Sequence, residues 1–130
     1  MASPFTKKRL SDVEDSAPKF GYGDVQQARF ANEDLDVEQT GLSYHRIAAG
    51  KRQGFGHKHD RVEEIYVVLS GAGRVKVDDE IVELEPLDAI RVGPGIIRQF
   101  EAGPDGLEYI AAGVRGEKDD FELLPGWWDD

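Results

Sequence analysis

The sequence predicts an all-β fold, a sandwich or barrel of short strands, and three observations point that way. Glycine and proline punctuate the whole chain, 15 and 6 of them in 130 residues. Most stretches between them alternate apolar with polar side chains or are rich in β-branched residues, the period-two signature of a half-buried strand. Beyond residue 25 no segment carries the spacing of an amphipathic helix.

Residues 1–23 are polar and broken by Pro4, Pro18, Gly21 and Gly23, and they read as an N-terminal arm with at most one helical turn over 11–15. Strands are expected over 25–31, 39–48, 55–59, 63–69, 74–77, 81–85, 89–92, 98–102 and 107–114. Turn residues fall between them: Asp78, Asp79 and Glu80 in a hairpin, then the glycine-containing stretches 70–73, 93–95 and 103–106. The domain reading is one barrel over 24–117 with a short C-terminal tail over 118–130. That tail holds both tryptophans, Trp127 and Trp128. Rings of that area seldom stay in water, so the tail is expected to dock on the barrel or on a second subunit.

Composition removes several function classes. With 26 acidic against 16 basic residues the formal charge is -10, and such a surface repels phosphate backbones and anionic lipid. Nucleic-acid and membrane partners are therefore not expected. The absence of cysteine excludes disulfides and thiolate chemistry. The first residues lack the apolar stretch of a signal peptide, and a cytoplasmic protein is the expectation.

The chemistry concentrates between residues 57 and 71. His57 and His59 are two apart, so on a strand both imidazoles face one way. Glu64 opens the next strand and shares a face with Tyr66 and Val68, while Ile65, Val67 and Leu69 share the other. Two imidazoles and a carboxylate that converge form a facial triad suited to Fe, Mn, Ni or Zn, with positions left open for water or substrate. An H-x-H pair is also found on exposed strands without any ligand, and a carboxylate at a strand start can simply be solvated.

The longer spacing is more specific. His57, His59, Glu64 and Gly71 read H-x-H-x4-E-x6-G without a gap, which resembles the first motif of the cupin family. Gly50 stands one position earlier than that motif's opening glycine. The resemblance extends over residues 38–115 and implies a jelly-roll β-barrel, the double-stranded β-helix, with His57, His59 and Glu64 as metal ligands. It also implies a small-molecule ligand inside the barrel and a homodimer, often made by exchanging N-terminal strands. The outward apolar face of Ile65, Val67 or Leu69, or the tryptophan tail, is expected at the contact because a monomer would leave it uncovered.

The second cupin motif departs from the family. Arg98 stands where the fourth ligand, a histidine, belongs, and Ala102 replaces an asparagine. A guanidinium has no lone pair for a metal. Arg98 could pair with Glu64 in place of the metal's charge, clamp a carboxylate or phosphate of a ligand, or reach the barrel mouth and pair with a surface acid. Tyr44, Arg46, Tyr66, Phe100 and Tyr109 are candidates to line the barrel, with Arg98, Arg46, Tyr66 and Phe100 as ligand contacts, although core packing is the better account of each aromatic. His45, on the face opposite Tyr44 and Arg46, is expected to be exposed or hydrogen-bonded. Three functions remain open: a metal-dependent enzyme of dioxygenase or isomerase type acting on a small, anionic molecule, a metal-free binding module with Arg98 paired to Glu64, or a barrel without chemistry.

Overall fold

The computed structural model describes residues 4–114 and 121–129. The expected boundary between barrel and tail at 117–118 lies outside the described residues. Eight strands are found among them: β1 Gln26–Phe30, β2 Thr40–Ile47, β3 Gly56–His59, β4 Glu64–Val77, β5 Glu80–Leu84, β6 Ala89–Val92, β7 Arg98–Val114 and β8 Phe121–Leu124. One four-residue helix, α1 Asn32–Leu35, joins β1 to β2. All pairings are antiparallel and link the strands into one curled sheet.

Two long strands organise the barrel. The first half of β4 pairs with the second half of β7, from Glu64 opposite Gly113 to Gly71 opposite Leu107. The second half of β4 pairs with the first half of β7, from Gly73 opposite Ala102 to Val77 opposite Arg98. The expected turns at 70–73 and 103–106 are therefore a correction: both stretches continue their strands, and the glycines serve bends rather than reversals. At Gly71, whose φ is 75°, a Cβ would lie 2.1 Å from the Gly106 carbonyl oxygen, and at Gly73 one would lie 2.1 Å from that of Glu101. Only glycine lets the two strands bend together at so close an approach. The register shifts between Val68 and Ser70 and between Gly71 and Gly73 are the bulges that accompany the bend.

A single apolar cluster forms the core. Val68, Val75, Leu84, Val92, Phe100, Leu107 and Tyr109 are buried together, and Phe100 stacks on Tyr109 with centroids 4.3 Å apart. Each such side chain contributes about 1.5–3 kcal/mol by leaving water. Ile65 and Leu69 face outward and are exposed, as the alternation along β4 requires. The N-terminal residues are docked: Val13 and Ala17 are buried, and one carboxylate oxygen of Asp15 accepts from the amides of Ala17 and Ala28. The one helical turn expected over 11–15 is a 3-10 turn at Leu10–Asp12. β1 pairs with β2 of its own chain. No helix among the described residues is long and apolar enough to cross a membrane.

Candidate functional site

β3 carries the two histidines and is held on both sides. Along β7 it pairs only where His57 meets Arg98, whereas β8 pairs with it over its whole length, from Gly56 opposite Leu124 to His59 opposite Phe121. The tail is fastened beyond that. Trp128 is buried with the Arg52 guanidinium 4.1 Å from its ring and that of Arg74 5.1 Å away, and both arginines donate to Glu101 at 2.6 Å. Trp127 covers Gly56, where a Cβ would lie 2.9 Å from the indole. Both tryptophans pack against residues of this chain's own barrel.

His57, His59 and Glu64 converge. Glu64 Oε1 lies 3.9 Å from His57 Nε2 and 3.6 Å from His59 Nε2. The same oxygen accepts from Arg98 Nη2 at 3.0 Å and from the Tyr66 hydroxyl. Arg98 Nε donates to Tyr66 at 2.9 Å, its Nη1 donates to the Ile96 carbonyl at 2.9 Å, and Tyr66 Oη lies 3.3 Å from His57 Nε2. Every nitrogen of the guanidinium has an acceptor, and Arg98 is 0% exposed. Burial alone would raise the Glu64 carboxyl, but the nearby His57 imidazole, the hydrogen bond from Tyr66 and the electrostatic pull of His59 and Arg98 hold it well below the usual carboxylate range. Burial pushes the His57 imidazole down, against the pull of Glu64.

The donor set suits a divalent ion in kind and in spacing, since one ligand atom from each of His57, His59 and Glu64 lies within 4.8 Å of the others. The charge balance does not. The carboxylate oxygen that faces both imidazoles already accepts two hydrogen bonds, one of them from a fixed cation. An ion there would meet the guanidinium across a shared oxygen, at a distance where like charges repel by a few kcal/mol even at an effective dielectric of about 20. In this arrangement the residues do not fit a divalent ion, and Arg98 supplies the positive charge.

Beside this network lies a cavity of about 280 Å³. It exists because three adjoining strands put small residues on the inner face. Gly41 and Ser43 of β2 pair with Gly113 and Ala111 of β7, which in turn oppose Glu64 and Tyr66 of β4. Ala28 of β1 adds to the same wall. Phe30, Val114 and Phe121 surround the space and are themselves exposed, and the Phe121 ring sits 5.6 Å from His57 and 5.1 Å from His59.

Of the four side chains expected to touch a ligand, only Tyr66 lines the cavity. Phe100 is wholly buried in the core, and Arg98 lies outside the lining. Both the ligand clamp and the surface pair expected for Arg98 give way to the pairing with Glu64. Arg46 is exposed on the outer face of β2, the reverse of a ligand contact, while His45 is buried on the inner face and meets the hydrogen-bonded half of its expectation through Ser43 at 2.7 Å. The cause is a strand whose polarity runs against its burial: Tyr44 turns outward and donates to Glu108, and Ser43 and His45 turn in. Ser43, His45, Phe55 and Phe121 line the cavity without having been singled out as contacts. Only the placement of Ser43 and His45 two apart, in phase, carried any hint of it.

The fold and site define a small β-barrel with a polar cluster inside, and comparison with known proteins gives the family. The family model described as cupin domain matches residues 43–111, more than half the chain, and the chain belongs to the cupin family. A cupin protein from Bacteroides fragilis superposes with a TM-score of 0.69 at 25% identity, over 92% of each chain. A cupin-superfamily sugar phosphate isomerase from Silicibacter pomeroyi gives 0.73 at 18% identity, over 90% of this chain and 80% of its own. A polyketide cyclase from Streptomyces resistomycificus gives 0.73 at 14%, over 100% and 89%. No curated protein matches the chain.

Proposed function

We propose that this cupin is a metal-independent binding protein for a small organic molecule, held in the barrel cavity with a polar group against Glu64, Tyr66, His57 and His59 and an apolar body against Phe30, Phe55 and Phe121. The observation that carries this reading is the salt bridge of Arg98 to Glu64 at 3.0 Å. It satisfies the carboxylate with a cation of the chain's own, at the position where the family has a histidine ligand. With Arg98 behind the wall, the argument for an anionic ligand loses its partner, and a neutral molecule with a polar edge suits the lining better. Cupins include enzymes as different as the isomerase and the cyclase among the neighbours, so the fold leaves the chemistry open.

The test is elemental analysis of untagged protein together with thermal shifts against phenols and sugar phosphates. Metal well below one ion per chain, with stabilisation by a probe, is the expected result. One tightly held ion per chain would replace this reading with a second one, a divalent Mn, Fe, Ni or Zn on His57, His59 and Glu64, which their mutual spacing favours. The exposed Ile65 and Leu69 support the expected homodimer, for which light scattering is the measurement.

A further inference from the structure

We infer that Ser43 and His45 form a second ligand-contact station in the cavity, across from the Glu64 cluster, and that the ligand is a planar aromatic molecule with an oxygen substituent at each end. This rests on the reading of the cavity as a ligand site.

The sheet register sets the geometry. Ser43 pairs with Ala111, and Ala111 pairs with Tyr66, so Ser43 and Tyr66 face the same interior two strands apart. That is about 10 Å between backbones, with only the Ala111 methyl group between them. Ser43 Oγ and His45 Nε2 are 2.7 Å apart, and both residues line the cavity. They are 8% and 9% exposed, and His45 Nδ1 has no hydrogen-bond partner among the described residues. A buried polar atom in that state carries a penalty that a ligand or a water removes. The imidazole is also held in place. It stacks on Tyr109 at 5.0 Å and 15°, and meets Phe30 edge-on at 5.8 Å.

Between the two polar stations the walls are the rings of Phe30, Phe55, Tyr109 and Phe121 and the methyls of Ala28 and Ala111. A sugar presents hydroxyl groups on all sides and would leave several facing apolar wall. A flat aromatic presents its faces to those rings and its polar atoms only at the edges, where the stations are.

The experiment is calorimetric titration of a dihydroxynaphthalene, with oxygens at opposite ends, and of the matching mono-naphthol. Both are run on the natural protein, Ser43→Ala and His45→Phe, with thermal unfolding to establish that each variant is folded. The natural protein should bind the diol about tenfold more tightly than the mono-ol, and both variants should lose that preference. If His45→Phe does not fold, Ser43→Ala decides alone. Equal affinity for the two probes, or a preference that survives the substitutions, overturns the second station. Binding of a hexose phosphate with neither naphthol overturns the aromatic class and leaves the ligand-site reading standing. If that binding also survives Ala111→Leu, which fills the cavity, the ligand-site reading falls with it.

Discussion

Arg98 Nη2 and Glu64 Oε1 lie 3.0 Å apart beneath two imidazoles, and the arginine is shut off from solvent completely. A buried ion pair stabilises little against an apolar alternative, yet removing one partner costs a great deal, because the other stays behind uncompensated. Arg98→Ala should therefore lower stability by about 3 kcal/mol, read by urea unfolding. Arg98→His should do something different. It removes the cation and adds a nitrogen donor, so affinity for Mn(II) or Ni(II) should rise by roughly two orders of magnitude over the natural protein in calorimetric titrations. A natural protein that already binds these ions as tightly as the variant would show that Arg98 yields its place to metal.

His45 predicts a pH dependence. Burial pushes its imidazole down to about 4 from an ordinary 6.5, partly offset by the charge of Glu64. In that interval the unfolded chain takes up a proton at this residue that the folded chain refuses, so stability falls as the pH is lowered. The loss assigned to His45 begins near pH 6.5, amounts to about 3 kcal/mol by pH 4, and stops growing below that. Chemical denaturation of the natural protein and His45→Phe across the interval measures it, and the variant should show the shallower slope. Equal slopes would place the protonation elsewhere.

The tail offers a third test. Since β3 meets β7 at a single pair and β8 along its whole length, the histidines depend on the tail for their position. Trp128→Ala removes the ring held by Arg52 and Arg74 and should cost about 3 kcal/mol. It should also shift the ring resonances of His57 and His59 in NMR spectra while leaving those of His45, and Trp128→Phe should restore them in part. Unshifted resonances in a variant whose remaining tryptophan fluoresces as if in water would separate the tail from the site.

Two alanines on the same strand should respond in opposite ways to enlargement. Ala111 borders the cavity, whereas Ala102 belongs to the buried core cluster and lies outside the cavity lining. Ala111→Leu should fill the void, abolish probe binding and change stability by less than about 1 kcal/mol. Ala102→Leu should destabilise by about 1–3 kcal/mol and leave binding in place. Thermal unfolding with and without probe compares them directly.

The family and the convergence of His57, His59 and Glu64 were legible because each depends on spacing along one or two strands. The strand count was not: 63–69 and 74–77 fuse into β4, 98–102 and 107–114 fuse into β7, and β8 was not expected. What the sequence did not disclose depends on contacts between strands. Glycine at 71 and 106 signals a turn in a linear reading, and only the close passage of β4 over β7 turns those glycines into bends. The inward face of β2 was hard to choose because Arg46 suggested a ligand contact and His45 left exposure and hydrogen bonding open, while the neighbours Phe30 and Tyr109 that bury His45 come from β1 and β7. Arg98 was recognisable as the anomaly, but choosing among its three readings required knowing where Glu64 and Tyr66 lie in space.

The wall of small residues on β2 and β7 separates two properties that many binding sites tie together. Capacity is set by Gly41, Ser43, Ala111 and Gly113, of which only Ser43 has a polar side chain, whereas charge is set by Glu64, Arg98 and the β3 histidines. Selection, or an engineer, can therefore change what size of molecule enters by altering side-chain bulk on one pair of strands, without disturbing the ionic balance held by the others. Drift in ligand preference at constant site chemistry is the evolutionary path this layout leaves open.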